Sequence, residues 1–386
     1  MKIIYASVNI DHHMIPFAKA ITEIVGENNF RYAVLAPIDQ DRIKLGFDSN
    51  CENNPWVIRA YSNKKSYREF EKWFNDADVA LFSYRSLFNM AHKRVKNEKL
   101  TYYFSERWFK PPFGKFRLLN PRLWKFSYKL RILSKNNFFH YLAQGAYAEQ
   151  DIRLIGSFEN RIWNCGYFPD VSENESIVPN HSNIQILWCG RMLKWKKVDS
   201  LIKAFSIIIQ KYPNCHLTIV GDGTEKKKLM KLAYELLPYW SYDFKVSHPF
   251  KDVRAIMKSS DIYVLPSNAY EGWGAVLNES MAEGCAVIAS IETGGGKSII
   301  QDMENGLLFN SGSYMQLSEK LKLLLDDRIL LNKLKINGQK TMNEIWSPYN
   351  AAFRFIEVSK ALLGKRKVPI YDNGPMKCLN TNHEYN

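Results

Sequence analysis

Residues 261–289 read DIYVLPSNAYEGWGAVLNESMAEGCAVIA, and this stretch decides the fold class. The apolar runs 261–265 and 286–289 have the length of buried strands, and a glycine-containing turn and a helix that begins near Ala275 lie between them. Short buried runs that alternate with helical stretches predict βα units around a parallel sheet. Three more apolar runs continue the pattern, at 184–189, 216–220 and 306–309.

A linker separates this region from a second set of βα units. Residues 168–183 are rich in Pro, Asn, Ser and Glu and have no apolar periodicity, which is typical of a linker. We therefore predict one Rossmann-like domain over residues 1–167 and another over residues 184–346. Residues 365–386 are basic and then polar, and are expected to form a tail.

The composition is that of a globular protein with a basic surface. Of 386 residues, 46% are apolar and 24% are charged, which excludes a disordered chain. The 53 Lys and Arg residues exceed the 39 Asp and Glu residues and give a net charge of +14, which favours anionic partners. Six cysteines without a CxxC pair predict neither a disulfide framework nor a zinc site. With no signal peptide or spanning segment in the sequence, we expect a cytoplasmic location.

Two carboxylates lie around the predicted turn and helix. Glu271 comes just before the helix and Glu279 lies inside it, where each can accept hydroxyl hydrogens from a sugar-like ligand. Gly272 and Gly274 would let an anionic group approach the backbone near the start of the helix. A capped helix with solvated acids is the structural alternative.

A basic loop follows the predicted strand 184–189. It carries Gly190, Arg191 and Lys196. A planar guanidinium and a flexible ammonium that converge at the end of a strand suit a diphosphate. A solvated surface loop is the alternative. The diphosphate interpretation is favoured because the two glutamates follow another strand of the same predicted sheet.

These residues resemble a known family. Glu271 and Glu279 have the E-x7-E spacing of retaining GT-B glycosyltransferases, and the surrounding run resembles the donor segment of glycosyltransferase family 4, the glycosyl transferases group 1. Gly190-Arg191 with Lys196 is similar to that family's G-R-x4-K loop. The resemblance implies a GT-B fold, in which two Rossmann-like domains with parallel sheets face each other across a cleft. It also implies that the last helix, about 347–364, crosses back onto the N-terminal domain.

The resemblance assigns roles to individual residues. It implies that Arg191 and Lys196 neutralise a nucleotide diphosphate and stabilise its departure, and that Glu271, the third catalytic residue, contacts the donor sugar. Glu279 would bind the ribose hydroxyls. Backbone amides would lie near the sugar and phosphate at Gly272, Trp273 and Gly274. No metal and no cofactor is implied beyond the nucleotide-sugar co-substrate. Retention would proceed by front-face displacement, in which the leaving phosphate helps to deprotonate the acceptor hydroxyl, so no water-activating base is implied.

The sequence departs from the family pattern at two positions. Lys197 stands where the loop usually has glycine, and Ser298 replaces the glutamate that follows the later glycine loop. The second departure leaves the ligand contacts of that loop open. We interpret Asp39-Gln40-Asp41, which has the DxD spacing of metal-dependent GT-A enzymes, as a chance occurrence.

Three N-terminal segments resemble a narrower group of bacterial capsule and lipopolysaccharide glycosyltransferases. Residues 11–16 (DHHMIP), 103–107 (YFSER) and 166–169 (GYFP) are similar to its N-H-H, Y-S-E-R and G-Y-F-P segments. The resemblance implies acceptor-side or sugar-side roles for four residues, His12, His13, Glu106 and Arg107. A structural histidine pair and a local ion pair are the alternatives.

Residues 107–135 hold nine Lys or Arg residues, no acid and seven interleaved aromatic residues. Basic residues with aromatic anchors favour an anionic membrane surface. The predicted membrane contacts are Arg122, Trp124, Lys125, Lys129 and Arg131. A helix that packs its aromatic residues inward is the alternative, and no recognised nucleic-acid module accompanies the segment.

The sequence as a whole predicts a retaining hexosyltransferase (EC 2.4.-.-). It would move a sugar from a nucleotide-diphosphate donor to a growing, lipid-linked bacterial surface polysaccharide, while bound peripherally to the inner face of the cell membrane. The alternatives are a non-catalytic membrane-associated sugar-nucleotide-binding protein, and an inverting GT-B transferase or phosphorylase. The nucleotide base, sugar, acceptor and linkage depend on a few side chains that the sequence does not identify.

Overall fold

Two parallel sheets organise the chain in a computed structural model, which describes residues 1–38, 49–171, 183–246 and 250–379. The chain divides into two units. Unit 1 comprises Met1–Pro169 and Trp346–Asn386, and unit 2 comprises Asp170–Ile345. The DxD pattern at 39–41 and most of the predicted linker, residues 172–182, lie outside the described residues.

Unit 1 is built on a seven-stranded parallel sheet with the order β3-β2-β1-β4-β5-β6-β7. The strands are β1 (Ile3–Ser7), β2 (Phe30–Val34), β3 (Val57–Arg59), β4 (Val79–Phe82), β5 (Leu100–Ser105), β6 (Phe139–Gln144) and β7 (Ile162–Cys165). The helices between them are α1 (Ile15–Val25), α2 (Lys64–Asp76), α3 (Phe88–Lys96), α4 (Pro121–Ser134) and α5 (Ala146–Ile155). The central strands are buried along their whole length, which explains their continuous apolar runs.

Unit 2 has a six-stranded parallel sheet with the order β10-β9-β8-β11-β12-β13. The strands are β8 (Ile184–Cys189), β9 (Cys215–Val220), β10 (Tyr242–Lys245), β11 (Ile262–Leu265), β12 (Ala286–Ser290) and β13 (Leu307–Phe309). The helices are α6 (Val198–Ile208), α7 (Lys226–Leu236), α8 (Phe250–Lys258), α9 (Val276–Ala282), α10 (Gly294–Ile299), α11 (Tyr314–Asp326) and α12 (Arg328–Lys340).

The strand order reverses once in each sheet, and this reversal positions the candidate sites. In unit 1 it falls between β1 and β4, and in unit 2 between β8 and β11. Ligands of open α/β sheets bind beyond the carboxyl ends of the strands at such a reversal. The loop after β8 and the turn after β11 carry the two motifs of the C-terminal half, so the topology brings these motifs together.

The end of the described chain packs within unit 1. A last helix, α13 (Pro348–Leu363), lies against α1, where the rings of Phe17 and Phe355 are 6.0 Å apart. Residues beyond α13 then run antiparallel to β7, with a bridge between Trp163 and Cys378. The Asn164 amide donates to the Lys377 carbonyl at 2.8 Å. The first part of the predicted tail therefore covers the outer edge of strand β7.

The structure confirms the predicted α/β class with two parallel sheets and corrects details of it. Strands β3 and β10 were not predicted, because β3 has three residues and β10 alternates exposed and half-buried residues. Helix α6 begins after Lys197, which occupies the cap position, and Asp199 lies in its first turn. No described helix has both the length and the apolar character needed to cross a bilayer.

Candidate functional site

Glycines shape the loop that follows β8 in unit 2. Gly190 has φ +149°, and its amide donates to the Val220 carbonyl at 3.0 Å. Gly221, at the end of β9, has φ +139°, and a Cβ atom there would lie 2.0 Å from the Gly190 carbonyl oxygen. Only glycine permits this approach of two backbones. The two loops therefore fix the start of the segment that carries Arg191 and Lys196.

Lys197 explains the glycine that the family usually has at this position. It has φ +55° and ψ +33°, in the left-handed region, directly before α6. A residue with a Cβ atom pays roughly 1–2 kcal/mol in this region, whereas glycine adopts it freely. The departure from the family pattern therefore changes the backbone strain but not the course of the loop.

Lys196 and Glu271 form an ion pair at the reversal of the sheet. The two side chains are 12% and 11% exposed, and the Lys196 ammonium also lies 4.5 Å from the centre of the Trp195 ring. The Asn268 amide donates to the Trp195 carbonyl at 3.0 Å, which ties the turn after β11 to the loop after β8. The structure thus brings together the ammonium and the carboxylate that the sequence assigned to one ligand.

Glu279 lies in α9 and is 3% exposed. Its charge reaches the ends of the two central strands. Burial raises the pKa of the Cys189 thiol, and the Glu279 carboxylate raises it further. Burial also raises the pKa of Tyr263, and the nearby Cys189, Glu271 and Glu279 raise this pKa further. Two carboxylates therefore make the buried side of the site negative, next to the Lys196 ammonium.

The later glycine loop supports the turn that contains Trp273. The Gly295 amide donates to the Trp273 carbonyl at 2.9 Å, and a Cβ atom at Gly295 would lie 2.7 Å from that oxygen. The buried Trp273 indole donates to the Asn278 Oδ1 atom at 2.8 Å. Gly274 has φ +88°, so the turn itself requires a glycine. The glycine loop therefore supports the turn after β11, whereas its ligand contacts stay a prediction.

Arg191 differs from the other predicted donor residues because its side chain is exposed. Within the described ranges, no hydrogen bond or ion pair joins it to Glu271 or Glu279. Gly272 lies buried in the turn. The predicted donor set therefore consists of a buried, paired group and one exposed guanidinium on the adjoining loop.

The three short N-terminal segments meet in unit 1. The rings of His12 and His13 lie 3.6 Å apart, and His13 lies 5.4 Å from the Tyr167 ring. The Tyr167 hydroxyl donates to Glu106 at 3.3 Å, and the Lys110 ammonium pairs with the other oxygen of Glu106 at 2.8 Å. Residues from segments more than 150 positions apart thus form one polar cluster near the ends of β1 and β5.

Arg107 has a different partner from Glu106, so the two do not form the local ion pair weighed from sequence. Arg107 Nε lies 4.0 Å from Asp151 Oδ2, and its guanidinium lies 4.7 Å from the Tyr147 ring centre. The same carboxylate accepts from the Trp108 and Phe109 amides at 2.7 and 2.9 Å. Burial nevertheless raises the pKa of Asp151.

Among the residues that the structure describes, one group has the spacing of metal ligands, and it consists of Asp11, His12 and His13. One possible ligand atom from each lies within 4.8 Å of the others. The Asp11 carboxylate also accepts from the His13 amide at 3.1 Å. The expectation that no metal takes part therefore requires a direct test.

The basic-aromatic segment, defined as residues 107–135, divides its aromatic residues between two environments. Phe109 is buried, and the rings of Trp108 and Phe126 stack 4.9 Å apart. Four others are exposed: Phe113, Phe116, Trp124 and Tyr128. All five predicted membrane-contact residues are exposed on α4. The inward-packing alternative thus holds for three of the seven aromatic residues.

Sequence reasoning missed four contributors to these clusters. Trp195 and Asn268 join the two loops of unit 2, and Lys110 and Asp151 hold Glu106 and Arg107 in unit 1. Lys110 lies four residues after Glu106, but the segment is not helical, so the helical spacing rule gives no signal for this pair. Asp151 is too far along the chain for any local signal.

Comparisons with known proteins agree with this geometry. Two Rossmann-like units with these two motifs define the GT-B class of folds. Residues 172–341 match the family glycosyl transferases group 1, so unit 2 carries the domain of that family. The resemblance inferred from sequence is therefore confirmed.

Three known proteins illustrate the match. The chain is 34% identical over 149 residues to an uncharacterized glycosyltransferase from Haemophilus influenzae, which covers 38% of this chain and 40% of that protein. It is 28% identical over 194 residues to the lipopolysaccharide core biosynthesis glycosyltransferase LpsE of Rhizobium meliloti, covering 50% and 53%. The chain thus spans about half the length of the curated relatives it matches, or less.

The third is a solved structure. The fold is similar to that of HepE from Anabaena, solved in complex with UDP, with a TM-score of 0.66 and 16% identity. The match covers 94% of this chain and 100% of HepE.

Proposed function

We propose that this chain is a retaining glycosyltransferase that moves a sugar from a nucleotide-diphosphate donor to a growing, lipid-linked bacterial surface polysaccharide. The observation that carries the proposal is the meeting of Lys196 with Glu271 beside Glu279, at the reversal of the sheet in a group 1 domain. The type of glycan is suggested by relatives such as LpsE, which is named for lipopolysaccharide core biosynthesis.

The donor would be held by charges of both signs in unit 2. Lys196 and Arg191 would neutralise the diphosphate, and stabilisation of that leaving group would supply much of the rate enhancement. Glu279 would accept hydrogen bonds from the ribose, and Glu271 would accept one from the donor sugar. UDP in the structure of HepE supports a nucleotide donor. Lys196 already has a carboxylate partner, so the diphosphate would share this ammonium with Glu271.

The reaction would exchange one bond at the anomeric carbon for another. The bond between that carbon and the diphosphate oxygen breaks, and the acceptor hydroxyl forms its new bond on the same face. The hydroxyl proton passes to the departing diphosphate, so no separate protein base is required. Catalysis would then consist of positioning and charge stabilisation.

The polar cluster of unit 1 would bind the acceptor or the sugar. His12, His13, Glu106 and Arg107 offer donors and acceptors suited to hydroxyl groups. Tyr167 holds Glu106 next to the histidines, so these side chains would act as one preformed surface.

The basic-aromatic segment would hold the enzyme at the inner face of the cell membrane. Lys125 and Lys129 flank the exposed Trp124 and Tyr128 on the same side of α4. Each basic residue near an anionic surface is worth about 1 kcal/mol, and exposed aromatic side chains anchor at the interface. A lipid-linked acceptor would be reached from this position.

The first experiment is thermal unfolding of the chain with UDP-, GDP-, ADP- and CMP-sugars. A ligand that binds only the folded state raises the unfolding temperature, so stabilisation by one nucleotide class would support the donor site and identify the base. The same donor should then be consumed when membrane-extracted acceptor is added. Stabilisation without turnover would favour the non-catalytic sugar-nucleotide-binding protein, and an inverted product would favour the inverting transferase.

Removal of metal ions tests the expectation that the reaction needs no metal. Turnover should be unchanged in EDTA. A loss in EDTA that zinc or manganese restores would contradict the metal-independent mechanism, and Asp11, His12 and His13 would then be the ligands to replace.

A further inference from the structure

Unit 1 contains a cavity of about 590 Å³ that neither the donor site nor the polar cluster uses. Arg85, which follows β4, lines one part of it, and residues of the basic-aromatic segment line the rest. It therefore opens at the carboxyl ends of the strands, next to the face of α4 proposed for membrane contact.

The charged lining is entirely cationic. Arg85, Arg117 and Arg122 line the cavity, and none of the described lining residues is acidic. The Arg85 guanidinium lies 4.3 Å from the Trp108 ring centre, and Arg117 donates to the Trp108 carbonyl at 3.3 Å. In the part of the chain that the structure describes, no ion pair joins Arg117 or Arg122 to a carboxylate. Arg85 and Arg117 thus lie against Trp108, and no acidic residue of the described lining neutralises the positive charge of the cavity.

The remaining lining is apolar apart from Asn120, and two of its phenylalanines are exposed. Phe113 and Phe116 line the cavity and are 62% and 77% exposed. Leu119, in the same turn Gly114–Leu119, is 71% exposed. Contiguous apolar side chains of this size on a surface mark a contact site. Here the apolar contact site is continuous with three guanidinium groups.

We propose that this cavity binds the phosphate of a single lipid molecule, with its hydrocarbon chain over Phe113 and Phe116. The proposal deepens the membrane contact of the proposed function and rests on it. Guanidinium groups bind phosphate oxygens in a bidentate manner, which gives a defined site rather than diffuse attraction. A free phosphate ion would contact the arginines alone, whereas a lipid would contact the arginines through its phosphate and the phenylalanines through its hydrocarbon chain.

Dihexanoyl phosphatidic acid, kept below its micelle concentration, is the probe, and titration calorimetry on the full chain is the measurement. We expect it to bind at least tenfold more tightly than glycerol 3-phosphate, which lacks the chains, and than dihexanoyl phosphatidylcholine, whose phosphate is masked by choline. Equal binding of glycerol 3-phosphate would overturn the lipid proposal in favour of a soluble phosphate compound.

Charge-matched variants separate the cavity from the general basic surface. Arg117→Gln with Arg122→Gln should weaken binding at least tenfold, whereas Lys93→Gln with Lys96→Gln, which removes two exposed charges of α3 outside the cavity and outside the basic-aromatic segment, should change it less than twofold. Phe116→Ser should weaken binding, and Tyr234→Ser, which is as exposed but lies on α7 of unit 2, should not. Equal losses in both members of either pair would overturn the proposal. All these side chains are exposed, and an unchanged unfolding temperature confirms folding.

Donor stabilisation, measured on the same samples, distinguishes the two proposals. Absence of lipid binding in a chain that a nucleotide sugar stabilises overturns the cavity alone. Lipid binding in a chain that no donor stabilises leaves the cavity in place and contradicts the transferase.

Discussion

The two charged regions of this molecule arrange their charges in opposite ways. In unit 2, Lys196 and Glu271 neutralise each other in a place almost closed to water. In the basic-aromatic segment of unit 1, nine cations share 29 residues without one acid, and those on α4 are exposed. The first arrangement acts over a few ångströms and is screened little by salt, whereas the second acts over a Debye length of about 10 Å and weakens with salt. Local chemistry and long-range attraction thus occupy different units.

The largest effect is expected when the exposed charges of α4 are removed. A variant with Gln at four positions, 122, 125, 129 and 131, should leave vesicles containing phosphatidylglycerol, because four basic residues are worth about 4 kcal/mol, roughly a thousandfold in partitioning. Co-sedimentation measures this. Gln at Lys227, Lys228, Lys231 and Lys245 removes the same charge from unit 2 and should have little effect. Similar losses from both variants would mean that net charge, and not the segment, binds the membrane.

Arg191 tests the exposed member of the donor set. Arg191→Ala should lower kcat by about 10²–10³, the loss typical when one group that stabilises transition-state charge is removed. Lys194→Ala removes an exposed cation from the same loop but lies outside the motif, so its kcat should stay near that of the parent. Full activity of the Arg191 variant would remove this residue from the diphosphate site.

Glu279 tests the buried member of the set. Glu279→Gln keeps the shape but loses the charge, so the Kd of the nucleotide sugar should rise by about 10- to 100-fold, since a hydrogen bond to a charged group contributes about 1.5–3 kcal/mol. Titration calorimetry measures the Kd, with Glu319→Gln, at an exposed position of α11, as the control. An unchanged Kd would mean that Glu279 does not contact the ribose.

The smallest effect concerns the backbone of Lys197. Lys197→Gly should be more stable than Lys197→Ala by about 1 kcal/mol, because only glycine adopts φ +55° without strain. Chemical denaturation of both variants measures the difference. In an ordinary helical position the order would be reversed, so a more stable alanine variant would contradict the left-handed conformation.

The sequence predicted most of what depends on continuous burial. Eleven of the thirteen described strands read as apolar runs for the same physical reason: parallel strands that are covered on both faces carry few polar residues. Strand β10 escaped prediction because its residues alternate in burial at the sheet edge. The placement of Lys196 and Glu271 at the same sheet edge could be predicted from the sequence. Their ion pair could not, because the motifs indicate which ligand each residue contacts and say nothing about contacts between the two side chains.

The aromatic residues of unit 1 show a different limit. The composition of residues 107–135 indicated their positive charge. Whether each aromatic ring is buried or exposed depends instead on which face of α4 packs against the sheet. Trp124 and Tyr128, one turn apart, share the exposed face of α4, whereas Phe126 turns toward Trp108. The three N-terminal segments likewise gave candidate residues, and only the fold joined them through Tyr167.

The segment that follows α13 has a consequence for self-association. Strand β7 ends the sheet of unit 1, and its amide and carbonyl groups would offer a template for another chain if they were bare. Lys377 and Met376 bond to Asn164, and the Leu379 amide bonds to Ile162 at 2.8 Å. A chain cut after Leu363 should therefore form oligomers through β7, detectable by light scattering. Residues 374–379 thus occupy the hydrogen-bonding groups of β7 through which two sheets could otherwise pair edge to edge.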